Sequence, residues 1–307
     1  MFGLVRRYSG PMPEYREIID NFRSERIRRV ADLADRRQRQ RHGRFLVEGP
    51  QSVREAVLCR PRALTDLYIE ATDGDLSAVS PVVARIRKQA QSQAPEVYIH
   101  YVSARVMRVI SKDAQGIAAV GRLDAMAVDA DSALAPAQAD GSAPGLVAAL
   151  WQVRDPGNAG TIIRAADAAG CRALVLVDEC VDPYNPKVLR STAGSIFHIP
   201  VVRLSTDDFF GHCDSLGLDV LAADVYGTTD LRPESLPDYL ARTRDCGMRP
   251  TAVLFGNEAR GLPESVLART RDIVSIPIYG QAESLNLATS ASVMLYALAM
   301  SSRLGRM

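Results

Sequence analysis

Cysteine is sparse and scattered in this 307-residue chain. The five (Cys59, Cys171, Cys180, Cys213 and Cys246) are odd in number and contain no Cys-x-x-Cys pair. A disulfide framework or a zinc site is therefore not expected, and a reducing cytoplasm fits best. The four histidines (His42, His100, His198, His212) show no ligand spacing, so no metal is expected. No uncharged apolar run reaches the roughly 18 residues of a membrane span, and the N-terminus lacks the continuous apolar core of a secretory signal. A dinucleotide GxGxxG after a strand, the P-loop GxxxxGK[ST], the GxSxG elbow and HExxH are all missing. What remains is an ordinary globular composition, 47% hydrophobic and 24% charged.

The net charge of +1 conceals a division. Residues 1–128 carry 22 Lys+Arg against 15 Asp+Glu, a balance of +7; residues 129–307 carry 15 against 21, a balance of −6. Nine arginines fall between Arg23 and Arg44, among them Arg36, Arg37, Arg39, Arg41 and Arg44. Guanidinium groups suit phosphate oxygens and stack on bases, so this segment points to a nucleic acid. The plainer alternative is a solvated helix face, with Asp32 and Asp35 balancing the arginines.

Residues 129–145 (DADSALAPAQADGSAPG) read as a linker with nothing to offer a core. Before it, residues 23–128 alternate helices (about 23–41, 50–59, 77–91 and 103–110) with strands (45–49, 63–70, 96–102 and 118–123). Residues 1–22 stand as an N-terminal extension without assigned structure. After the linker, strands are expected at 145–151, 173–177, 198–204, 219–224, 251–256 and 273–278, with helices between and a long last helix at 286–304. This is a mostly parallel α/β sheet over residues 146–307.

Three of its loops carry polar residues directly after an apolar strand, where an open α/β sheet holds its ligand. In 155–170 (DPGNAGTIIRAADAAG), Asn158 is expected at the helix N-cap, and Gly160 keeps the first turn slim. Arg164 is a lone charge on a small, apolar helix, suited either to pairing with Asp167 or an acid on a neighbouring helix, or to holding a phosphate. In 254–262 (LFGNEARGL), Glu258 is either a fixed acid or a cap for the following helix. In 276–292 (IPIYGQAESLNLATSAS), capping explains Ser284 or Asn286 but not both.

In order, these loops resemble the three signature motifs of the SpoU (TrmH-like) RNA 2′-O-ribose methyltransferases of the SPOUT class. Asn158, Gly160 and Arg164 match the first motif; Gly256, Asn257, Glu258, Gly261 and Leu262 match the second. Ile276, Pro277, Gly280, Glu283, Ser284, Leu285 and Asn286 match the third. Residues 288–292 (ATSAS) depart mildly from the more apolar run of relatives. Upstream, residues 41–57 (RHGRFLVEGPQSVREAV) look like the start of a small ribosomal-protein-like domain that grips RNA.

The resemblance implies a C-terminal SPOUT domain with a deep trefoil knot, a smaller N-terminal α/β domain, and a homodimer with its site completed at the subunit interface. It also implies S-adenosylmethionine held by main-chain groups of Gly256, Ile276 and Leu285. The catalytic set would be Arg164, Asn158, Glu258, Ser284 and Asn286, with Arg164 clamping the target phosphate and easing alkoxide formation. The expected substrate is a ribose 2′-hydroxyl in RNA, with 23S ribosomal RNA ahead of transfer RNA. The alternatives are an inactive RNA-binding protein of the same fold and a methyltransferase acting on protein.

Overall fold

The computed structural model describes residues 14–71, 79–135, 145–246 and 249–303, in two compact units, Met1–Met126 and Ala127–Met307. The first unit holds strands β1 (Glu14–Ile19), β2 (Arg44–Glu48), β3 (Leu64–Glu70), β4 (Tyr98–Val102) and β5 (Ile117–Arg122), in the sheet order β1-β4-β3-β5-β2. β1, left unassigned by the sequence, pairs parallel with β4 at the sheet edge. Helices α1 (Glu25–Ala31), α2 (Arg36–His42), α3 (Pro50–Cys59), α4 (Pro81–Gln93) and α5 (Ala104–Ile110) complete the unit. The single helix expected over 23–41 is broken in two. Asp35 interrupts it, because its carboxylate accepts the amides of Arg37 and Gln38 at 2.8 and 3.1 Å and so caps α2.

The second unit is a seven-stranded, all-parallel sheet. Its strands are β6 (Leu146–Trp151), β7 (Ala173–Val177), β8 (Val201–Leu204), β9 (Asp219–Ala223), β10 (Glu234–Ser235), β11 (Thr251–Phe255) and β12 (Asp272–Ser275). Their order is β10-β12-β9-β11-β6-β7-β8. β6, β7 and β11 are buried at almost every position, as strands covered on both faces must be. The chain moves outward from β6 to β7 and β8, then returns to the far side, where β11 inserts between β6 and β9. This reversal of direction lies beside β6, and such a point is where parallel sheets leave a crevice.

Helices α7 (Pro156–Ala169), α8 (Pro186–Ser191), α9 (Thr206–Leu216), α10 (Leu236–Cys246), α11 (Glu264–Leu267) and α12 (Leu287–Ser301) connect and flank these strands. α7 begins at Pro156 with Asp155 as its N-cap, since the Asp155 carboxylate accepts the Asn158 amide at 2.7 Å. Asn158 is thus not the cap, and its side chain is free for other work. Gly160 is needed for helix packing: a Cβ there would meet Ser191 Cβ at 2.4 Å and the Val188 carbonyl at 2.7 Å. The expected linker also contributes to the core. Its first residues form helix α6 (Ala130–Leu134), whose Ala133 and Leu134 are buried with Val147, Phe209 and Leu254. Residues 136–144 of that segment lie outside the described residues.

Candidate functional site

All three motif loops leave the C-terminal ends of β6, β11 and β12, so the parallel sheet delivers them to one rim. They enclose a cavity of about 560 Å³. Asn158, Gly256, Glu258, Ile276, Ser284, Leu285 and Asn286 all line it. Phe255, Val274, Ile278 and Met294 form much of its apolar wall.

A chain of hydrogen bonds ties the loops together. Asn286 is the N-cap of α12, its Oδ1 accepting the amides of Ala288 and Thr289 at 2.9 and 3.3 Å. That orientation turns its Nδ2 outward, where it donates to Asn158 Oδ1 at 3.1 Å. Asn158 Nδ2 in turn donates to Glu258 Oε1 at 3.2 Å. The Asp155 amide donates to the same oxygen at 3.4 Å. A carboxylate only accepts, and the first backbone amides of α12 only donate, so each side-chain amide in the relay has one allowed orientation. The Glu258 charge sits at the start of α7, where the helix dipole favours an anion. It does not serve α11, the helix that follows it in sequence. Ser284 lines the cavity and makes no hydrogen bond among the described residues.

The second motif is held by its own backbone. Asn257 and Gly261 exchange amide-to-carbonyl bonds at 3.2 and 2.8 Å. Asn257 Nδ2 also donates to the Gln152 carbonyl at 2.7 Å, tying this loop to the end of β6. A Cβ on Gly256 would meet the carbonyl carbon of Gly261 at 2.5 Å and the amide of Leu262 at 2.8 Å.

One wall had no signal in the motifs. Ala223, Asp224, Val225 and Tyr226, at the end of β9, also line the cavity. Asp224 Oδ1 accepts the amides of Tyr226 and Gly227, both at 2.8 Å. The pattern of a strand followed by Asp-x-x-Gly signals such an Asx turn and would have revealed it.

Arg164 is not among the cavity residues. It lies exposed on α7 and makes no hydrogen bond or ion pair among the described residues. Asp167, the partner offered by the sequence, instead engages His198 Nδ1 at 2.7 Å. Burial pushes the thiols of Cys171 and Cys213 up to about 12, away from the thiolate form.

In the first unit, Arg36, Arg37 and Arg41 are exposed. Arg44 is about half exposed and lies 3.5 Å from Asp66. Burial pushes the Asp66 carboxyl up, but hydrogen bonds from His100 and Thr65 with the nearby charges outweigh it and hold it below the ordinary range. Arg39 departs from its expected role at an RNA surface. It is 1% exposed, and its guanidinium donates at 2.8 Å to the carbonyls of Leu33 and Ala34. Arg39→Ala strands those acceptors, so it is expected to cost roughly 1–3 kcal/mol of stability. Urea unfolding should show a lower midpoint; an unchanged midpoint would return Arg39 to the surface set.

Residues 145–296 match the model of the SpoU rRNA Methylase family, and residues 24–119 match the MRM3-like substrate binding domain. Residues 145–296 belong to the SpoU family. Over 144 residues it is 40% identical to the 23S rRNA (guanosine(2553)-2′-O)-methyltransferase RlmP of Bacillus subtilis, a stretch covering 47% of this chain and 54% of that protein. The chain thus spans about half the length of that relative. The 23S rRNA (guanosine-2′-O-)-methyltransferase RlmB of Neisseria meningitidis is 26% identical over 251 residues, covering 81% of this chain and 92% of RlmB. Among solved structures, an AdoMet-bound rRNA methyltransferase from Sinorhizobium meliloti superposes with a TM-score of 0.75 at 26% identity, covering 95% of this chain and 98% of that one. Among the described residues no helix is long and apolar enough to cross a membrane.

Proposed function

We propose that this chain is an S-adenosylmethionine-dependent methyltransferase acting on a ribose 2′-hydroxyl of ribosomal RNA, with 23S RNA the preferred target. The observation that carries the reading is the Asn286–Asn158–Glu258 relay, which brings three separate motifs to the mouth of one cavity. The names of RlmP, RlmB and the Sinorhizobium meliloti enzyme support the same chemistry.

The residues present suit this cofactor. The cavity volume is in the range for a ligand of that size. Ile276, Ile278 and Leu285 offer an apolar wall for adenine, with their backbone groups available for its polar edge. Gly256 lines the cavity, and its missing Cβ lets the Gly261–Leu262 backbone pack directly against it, which fixes the turn that would hold the cofactor. When bound, S-adenosylmethionine supplies a methyl group on a positively charged sulfur, open to in-line attack by an oxygen.

The protein's part is to place the attacking oxygen and offset its developing charge. Asn158 and Asn286 orient the ribose, held in register by Glu258, and Ser284 aligns the 2′-oxygen. A fixed geometry removes much of the entropic cost of bringing donor and acceptor together. Arg164 cannot act as an ordinary base, since a guanidinium does not give up its proton readily. It clamps the phosphate beside the target and lowers the cost of the alkoxide as the 2′-proton passes to solvent water.

Because Arg164 lies outside its own cavity, the active form is taken to be a homodimer in which the partner subunit's Arg164 completes the site. The exposed Val293, Tyr296 and Met300 support this reading, since they form an apolar stripe along α12, the helix packed on α7. The trefoil knot of the SPOUT class is part of the same proposal, with β11 inserted beside β6 after β9 as its supporting feature. Exposed Arg36, Arg37, Arg41 and Arg44 would bind RNA phosphates. The protein would work in the cytoplasm.

Mapping 2′-O-methyl groups in ribosomal and transfer RNA from cells with and without the gene tests the activity. One ribosomal site is expected to disappear. Calorimetry with S-adenosylmethionine tests the cavity independently, and an absence of binding heat at several temperatures would leave only an RNA-binding protein of this fold.

A further inference from the structure

Large apolar side chains left in solvent are informative when they cluster. Among the described residues of the second unit seven are exposed. Three form the α12 stripe; the other four, Val225, Tyr226, Tyr279 and Leu285, belong to loops around the cavity. Tyr279 is the most exposed of all, at 91%. Its ring contributes almost nothing to the fold, so folding does not explain an aromatic residue there.

Its position is specific. Ile278 before it and residues 283–286 after it line the cavity, so the exposed stretch 279–286, which Tyr279 opens without lining the cavity itself, is a wall at the rim. Gly280 has no atom within 4 Å of where its Cβ would lie, so the space beside Tyr279 is open. The wall ends at Ser284 and Asn286, the polar residues assigned to the ribose. It therefore offers a flat apolar group at one end and hydrogen-bonding groups at the other. A ribonucleotide has the same division between base and sugar, and exposed aromatic rings are the usual platforms for unstacked bases.

We infer that Tyr279 stacks on a base of the RNA substrate at the mouth of the cavity and so sets how tightly the target segment is held. The inference rests on the methyltransferase reading above. Tyr226 lines the cavity itself and is left out of this assignment, because it could equally meet the cofactor.

The test uses full-length protein, tritiated S-adenosylmethionine and ribosomal RNA isolated from cells lacking the gene. Tyr279→Ala should raise the KM for RNA roughly five- to 150-fold, the range for losing one base–aromatic stack. Its kcat and its affinity for S-adenosylmethionine should stay within about twofold of wild type, since stacking is made before the reaction as well as during it. Tyr279→Phe should restore the KM, because the ring and not the hydroxyl does the work. An unchanged KM in Tyr279→Ala, with active wild-type protein, would overturn the inference alone. Inert wild-type protein would overturn the methyltransferase reading and this inference with it. A Tyr279→Ala protein that loses dimer in sedimentation in step with activity would assign the ring to subunit contact and also overturn the inference.

Discussion

Replacing Arg164 with alanine should reduce methyl transfer by roughly 10²- to 10³-fold, the usual cost of removing one preorganised charge-stabilising donor from an active site. Affinity for S-adenosylmethionine should stay within about twofold, because Arg164 does not line the cavity. Stability should barely change either. The side chain is exposed and has no hydrogen bond or ion pair among the described residues, so nothing in the fold depends on its charge. An arginine kept on a helix of small apolar residues without a structural partner is the expected signature of a residue that works elsewhere. Arg164→Lys separates two roles: a point charge would be partly retained by lysine, whereas a bidentate phosphate clamp would not. Mixing Arg164→Ala subunits with subunits carrying a defective cavity tests the dimer. If each protomer lends its arginine to the other, the mixed dimer should regain one working site. Wild-type activity in Arg164→Ala would remove Arg164 from the mechanism.

The loops were legible because the physics of parallel sheets is simple. Buried strands read as apolar runs, their C-terminal ends share one edge, and Gly, Asn and Pro mark where each run stops. Asn158 lines the cavity but does not cap its helix. Asn and Asp both cap helices, and Asp155-Pro156 supplies the same cap-then-proline pair with which Asn185-Pro186 starts α8. Recognising that pair would have freed the Asn158 side chain for Glu258 and Asn286. Composition misled at residues 130–134, where a short helix buries Leu134 despite its Ala-, Asp- and Ser-rich surroundings. Two-residue β10 was too short for any alternation to register. Arg39 shows the limit of charge counting, since a guanidinium can satisfy carbonyls inside a turn as readily as phosphates outside it.

Gly256→Ala should lower affinity for S-adenosylmethionine by at least about tenfold while leaving the chain folded, because the added methyl group meets fixed backbone and not a movable side chain. The Gly261 carbonyl carbon lies 2.5 Å from where that Cβ would be, and the Leu262 amide nitrogen 2.8 Å. Those atoms cannot yield separately. Gly261 is bonded in both directions to Asn257, and Asn257 is anchored to the Gln152 carbonyl. The whole turn must therefore move, carrying Glu258 away from Asn158 and Asp155. Overpacking of this kind costs roughly 1–3 kcal/mol. That cost can fall on the turn without unfolding the sheet, whose β11 pairs with both β6 and β9 along its full length. Calorimetric titration reads the cofactor loss, and thermal unfolding without cofactor reads the remaining stability. Wild-type affinity in Gly256→Ala would mean that the turn relaxes freely and that the Gly256 backbone does not cradle the cofactor. Unfolding of the whole chain would make the glycine a folding requirement first. A folded protein that has lost the cofactor alone ties the close approach of these two backbone segments to binding.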